Sequence, residues 1–154
     1  MNEKDTAIRL FVEGANCAQA VLAAFAPVCG IDQKTALKIS APFGGGIGRQ
    51  REVCGAISGM CMAAGLLYGY TDLSDTAAKA AHYAMIQELC AAFRDRFGSI
   101  ICRELLGSKK AFTSPIPDER NEEYYRTRPC ARQVGAAAEI LAEYIEKHPV
   151  GREV

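Results

Sequence analysis

Residues 74–98 read Ser-Asp-Thr-Ala-Ala-Lys-Ala-Ala-His-Tyr-Ala-Met-Ile-Gln-Glu-Leu-Cys-Ala-Ala-Phe-Arg-Asp-Arg-Phe-Gly. Ala78, Ala81, Met85, Leu89, Phe93 and Phe97 recur at three- and four-residue spacings, which places them on one face of an α-helix. Alanine, the strongest helix former, fills much of the remainder, and no β-branched run interrupts it. Asp72 or Ser74 is the expected start and Gly98 the stop. The same punctuation divides the rest of the chain. Asn16 is placed to cap a helix running to about Cys29, with Gly30 beyond its end. Asp32 opens a short helix ending near Pro42, and a long apolar helix is expected from about Arg49–Glu52 to Gly69. Ser99 is expected to cap a brief helix through Leu106, closed by Gly107. Lys109–Arg128 reads as a polar, proline-containing connector. Pro129, at a first helical position, starts a last helix whose Val134, Ala138, Leu141 and Ile145 face the core. The expected fold class is therefore all-α, a single helical domain over 1–154 with about five to seven helices in a bundle.

A chain of 154 residues can bury roughly two-thirds of its unfolded surface without disulfides. Its 49% hydrophobic and 23% charged residues are those of a globular protein and exclude a disordered or fibrous one. Eighteen Lys plus Arg balance eighteen Asp plus Glu, so no overall field attracts nucleic acid or an acidic membrane surface. Val53–Tyr70 carries no charge and has about the length of a membrane span, but its glycines, alanines, Ser58 and two tyrosines make it only weakly apolar. It reads as a buried helix, and no membrane span is expected. The first residues show no basic and apolar leader and no arginine pair, so the expectation is a cytoplasmic protein with reduced thiols.

Seven cysteines are more than a cytosolic core usually needs. Cys29, Cys61 and Cys90 fall within or at the far ends of expected helices and read as small packed hydrophobes. Cys17, Cys54, Cys102 and Cys130 all fall near expected helix N-termini. There the unpaired N–H groups and the positive end of the dipole favour a thiolate, by up to about one pKa unit from ~8.5. Arg49 and Arg51 precede Cys54, Arg103 follows Cys102, and Arg128 and Arg132 bracket Cys130, which strengthens the same tendency. Cys54 is the expected attacking thiol. No C-x-x-C occurs and only His82 and His148 are present, so neither a zinc ribbon, a local dithiol nor a histidine-rich metal site is expected. Four thiols from separate helix ends can still meet in space, as dithiol/disulfide pairs or as a thiolate cage for zinc, another metal or an iron–sulfur cluster.

Phe43-Gly44-Gly45-Gly46-Ile47-Gly48-Arg49 invites a phosphate reading, but it lacks the Walker Lys-Ser/Thr ending and no strand precedes it. Gly44, Gly45, Gly46 and Arg49 are instead candidates for a flexible loop that lets the backbone approach Cys54 or its ligand. Gly55 and Gly59, one helical turn apart, form a small face that admits either a ligand or another helix.

Taken together, Asn16-Cys17-Ala18-Gln19-Ala20-Val21, Phe43 through Gln50, Cys54-Gly55-Ala56-Ile57-Ser58-Gly59, Cys102-Arg103-Glu104-Leu105-Leu106-Gly107 and Cys130 before the last helix resemble the C_GCAxxG_C_C family of small proteins read as redox-active. The resemblance spans residues 14 to about 145. It places the family's four cysteines on Cys17, Cys54, Cys102 and Cys130, and implies a redox role beside an oxidoreductase or transporter. Some members look exported through a twin-arginine signal, which implies a prosthetic group such as an iron–sulfur cluster; this chain shows no such signal. Two other readings stand beside the redox one: a small-molecule-binding or accessory protein with incidental thiols, and a helical module whose cysteines only pack. A homo-oligomer is compatible with all three.

Overall fold

The computed structural model describes residues 2–151, and helices dominate it. They are α1 (Glu3–Val12), α2 (Cys17–Cys29), α3 (Gln33–Ser40), α4 (Gly55–Tyr68), α5 (Thr76–Phe97), α6 (Cys102–Leu106), α7 (Glu122–Thr127) and α8 (Cys130–Lys147). A single 3-10 turn, Ala41–Phe43, follows α3. Among the described residues there is no strand, only an isolated antiparallel bridge between Val53 and Ile101. The fold is all-α, with eight helices among the described residues against the expected five to seven. The additional ones are α1, capped by Asn2 and burying Ala7, Leu10 and Phe11, and α7, a short helix inside the expected connector, capped by Asn121.

The order of packing follows from how apolar each helix is around its circumference. Every residue of α2 from Ala18 to Ala26 except Gln19 is buried, so α2 sits at the centre, with α1, α3, α4 and α8 against it. Phe11, Phe25, Leu22, Met60, Phe93 and Leu141 fill the core, each worth about 1.5–3 kcal/mol of burial. A reciprocal capping box starts α2: the Asn16 side chain accepts from the Gln19 N–H at 2.9 Å, and Gln19 accepts from the Asn16 N–H at 3.0 Å. Gly30 ends it in the left-handed conformation. Gly59 serves the crossing of α2 and α4. A Cβ there would lie 2.6 Å from the Ala18 carbonyl oxygen and 3.0 Å from the Val21 Cβ. No helix among the described residues is long and apolar enough to cross a membrane.

The largest departure from expectation lies between residues 43 and 54. The apolar helix starts at Gly55, not at Arg49–Glu52, because Ile47, Arg49 and Arg51 as well as Gly45, Gly46 and Gly48 adopt positive φ and cannot propagate a right-handed helix. Nor is the glycine segment a loose loop. Its turns are closed by hydrogen bonds from Gly48 N–H to the Pro42 carbonyl (2.8 Å), Arg51 N–H to Gly45 (3.1 Å) and Glu52 N–H to Gly46 (2.9 Å). Residues 51–54 then run antiparallel to 100–103, with Cys54 N–H donating to Ile100 (2.8 Å) and Cys102 N–H to Glu52 (2.6 Å). Ser99 belongs to the approach to this seam: its Oγ accepts from Ile101 N–H, and the helix begins only at Cys102. Pro129 likewise stands at the cap position rather than inside α8, and Asp75, not Asp72 or Ser74, caps α5.

Candidate functional site

The helix starts and the seam bring Cys17, Cys54, Cys102 and Cys130 to the wall of one cavity of about 400 Å³. Cys17 is the first residue of α2 and Cys130 the first of α8. Cys54 caps α4, and the seam carries Cys102 to its side. Gly44, Gly45, Gly46, Arg49 and Gly55 also line the cavity, whereas Gly59 does not. The glycines act by close approach. A Cβ at Gly55 would meet the Cys17 Cβ at 3.0 Å, and one at Gly46 would meet the Cys102 Cβ at 2.8 Å. The glycine segment thus approaches Cys102, whereas the sequence placed it beside Cys54.

The thiols divide by environment in a way the helix dipole alone does not dictate. The Cys17 and Cys130 thiols are neighbours in the cavity wall and act on each other directly. The Cys17 thiol, followed by the charges of Arg128, Arg120 and Arg51, outweighs burial and holds Cys130 down at about 7. Cys17 in turn is pushed well above its ordinary range by Cys130 and by burial. Cys54 receives the expected help from the N–H groups of Ala56 and Ile57, but burial is larger and pushes it up to about 12. Cys102 is also raised, by burial, although Arg51 opposes the shift from 3.7 Å. The acidic thiol of the cavity is therefore Cys130, not Cys54. Dipole and N–H stabilisation of about one unit loses where desolvation of a buried thiolate is larger.

Of the four arginines that line the cavity among the described residues, Arg49, Arg51 and Arg128 stand near Cys54 or Cys130 in the sequence, and only Arg120 is remote from a cysteine in the chain. Arg51, 4% exposed, donates from Nε to the Phe112 carbonyl at 2.8 Å. Arg49 Nη1 and Arg128 Nη2 reach Asp118 Oδ2 at 2.9 and 3.0 Å, and Arg51 Nη2 lies 3.8 Å from the same oxygen. Burial tends to raise the Asp118 carboxyl, but the Arg49 hydrogen bond and the three arginine charges hold it below the usual range. Arg120 stacks on Phe11 and Tyr124 at 4.3 and 4.9 Å and donates to the carbonyls of Phe11 and Ala15. Asp118, Arg120 and Tyr124 come from the connector and were not signalled by any motif. By contrast Arg103, expected to support Cys102, pairs with Glu52 on the surface, and Arg132 lies outside the cavity lining.

Of the other three cysteines, Cys29 packs at the end of α2 with its thiol 3.8 Å from the Ala63 carbonyl. Cys61 and Cys90, expected as separate packing residues, stand next to each other, one on α4 and one on α5. A metal or cluster at the cavity would need a converging donor set. Among the described residues no group of three or more His, Cys, Asp or Glu side chains is disposed to hold an ion. Cys130, Cys54 and Cys102 all lie near enough to Cys17 to act on it, and Cys102 also meets Arg51.

An all-α protein with four cysteines gathered in one arginine-lined cavity is the class that fold and site define. A family model described as "Putative redox-active protein (C_GCAxxG_C_C)" matches residues 15–144, and the chain belongs to that family. No curated protein and no solved structure matches the chain.

The buried thiols carry a pH signature. Cys54 keeps its proton up to about 12 when folded, while its ordinary value is 9.0. A raised acid of this kind leaves stability intact below the unfolded value and removes it as pH rises toward the folded one, by about 1.4 kcal/mol per pH unit. Stability to urea should therefore fall between pH 9.5 and 11, and Cys54→Ser should lessen that slope by about 1.4 kcal/mol per unit.

Proposed function

We propose that the protein is a thiol–disulfide redox protein in which Cys130 attacks and Cys17 resolves. The observation that carries this reading is the adjacent Cys17–Cys130 pair at two helix starts inside the arginine-lined cavity. In the first step the Cys130 thiolate attacks one sulfur of a small disulfide; a mixed disulfide forms and the other half leaves as a thiolate. Cys17 then gives its proton to solvent and attacks the Cys130 sulfur, expelling the second half. Two protein thiols become one disulfide, and one substrate disulfide becomes two thiols. A reductant thiol, supplied by an oxidoreductase or transporter partner, reverses both steps. A cytoplasmic setting would keep the resting thiols reduced, and all seven are free in the structure.

Treatment with glutathione disulfide followed by peptide mapping tests the assignment. The expected product is a Cys17–Cys130 disulfide. Oxidation that leaves Cys130 free would overturn it, as would oxygen-free purification that yields stoichiometric iron or another metal on these cysteines.

A further inference from the structure

We infer that the cavity selects an anionic substrate, a compact molecule whose carboxylate, sulfonate or phosphate group binds Arg51 and Arg128 while its apolar part lies against Phe11, Leu105 and Pro117. This rests on the thiol–disulfide reading and names the class of molecule that cycle would act on.

Among the described residues four guanidinium groups line the cavity, and Asp118 is its one carboxylate. A single oxygen of that carboxylate takes Arg49 and Arg128 and stands at 3.8 Å from Arg51. Arg120 has only neutral partners, two backbone carbonyls and two aromatic faces. An ionised Cys130 would bring the negative groups to two, still fewer than the four positive ones. The decisive atom is Arg51 Nη2, buried and without a hydrogen-bond partner. Its Nε and Nη1 are engaged by the Phe112 carbonyl and the Cys102 sulfur, so the guanidinium is fixed with one donor edge left over. Buried donors are rarely left unmet, and a planar guanidinium is suited to an oxyanion. A surplus of positive charge in a concave, partly apolar site raises the local concentration of anions by tenfold or more. The cavity, at about 400 Å³, is at the small end of the range for ligand sites, which fits a compact molecule.

Iodoacetate and iodoacetamide make the test, since both are attacked at the same methylene, forming a carbon–sulfur bond and releasing iodide, and differ chiefly in charge. Site-resolved mass spectrometry of the intact protein gives both rates at Cys130, with N-acetylcysteine in the same tube as reference. The expected iodoacetate-to-iodoacetamide ratio at Cys130 is about tenfold above the reference. Sulfate should bring it back toward the reference, whereas chloride at the same ionic strength should do so less. Arg51→Gln should lower the ratio with a smaller effect on iodoacetamide. A ratio equal to the reference, or sulfate and chloride acting alike, would overturn the inference. So would Arg51→Gln slowing both reagents equally, because the charge would then serve the thiolate alone. Sulfate competition needs no variant, so a poorly folding Arg51→Gln still leaves a decision. The two readings also fail separately: a Cys17–Cys130 disulfide with no anion preference sinks only this one, and an anion preference without that disulfide sinks only the cycle.

Discussion

Cys130→Ser removes the fast phase of cavity alkylation at pH 7, and in the unaltered protein Cys54 reacts two to three orders of magnitude more slowly than Cys130. With its value near 7, Cys130 is about half ionised at neutral pH. Cys54, at about 12, is ionised to roughly one part in 10⁵. Greater intrinsic nucleophilicity of the more basic thiolate returns about two of those five orders, because reactivity rises only with 0.4–0.5 of the pKa difference. The net disadvantage of Cys54 is then about 500-fold, before its greater burial is counted. The Cys130 rate should climb with pH to a plateau a little above 7. Removing the Cys17 thiol with Cys17→Ala, which leaves no side-chain donor at that position beside Cys130, should move that midpoint upward, while Arg128, Arg120 and Arg51 keep it from rising as far as an isolated buried thiol would. Cys90, whose value is also near 7 through its neighbour Cys61, lies outside the cavity and serves as the internal reference in each variant. Site-resolved alkylation between pH 5.5 and 9 measures all of this. A Cys54 that reacts first would reverse the assignment of attacking thiol.

What could be read from the sequence, and what could not, follows from the range of the interactions involved. The four cavity cysteines were legible because helix starts are written locally, in Asn16 before Cys17 and in Pro129 before Cys130, and because the family motif marks them. Their relative acidity was not legible. It depends on whether burial outweighs a dipole, and burial is a property of the assembled α2, α4 and α8. The acidic and aromatic wall was equally hidden. Asp118, Arg120 and Tyr124 sit in a stretch without periodicity, and only the folded chain brings them against Arg49, Arg51 and Phe11. Gly59 shows the opposite case, in which the signal was plain and its meaning ambiguous. A small residue on a helix face admits a ligand or another backbone, and here it is the backbone of α2.

Gly46→Ala should destabilise the protein by about 2–5 kcal/mol, lowering Tm by roughly 5–20 °C. Two effects add. Gly46 has φ +70°, a region where an added side chain costs about 1–2 kcal/mol. The new Cβ would also lie 2.6 Å from the Glu52 backbone nitrogen, 2.8 Å from the Cys102 Cβ and 2.9 Å from the Arg51 carbonyl carbon. Two of these neighbours are backbone atoms of the extended segment that pairs with 100–103, so relief requires moving the seam, at about 1–3 kcal/mol for overpacking. Gly48→Ala separates the two effects. Gly48 has φ +54° but an added Cβ would meet nothing within 4 Å, so this variant should lose only the conformational part, about 1–2 kcal/mol. Because Cys102 N–H and Arg103 N–H bond to the carbonyls of Glu52 and Arg51, a shifted seam also displaces Arg51 from Cys102 and Phe112. The Gly46 variant should therefore lose anion preference at Cys130 as well as stability, while the Gly48 variant keeps it. Equal losses in the two variants would show that the segment contributes conformation alone and does not hold the cavity wall in place.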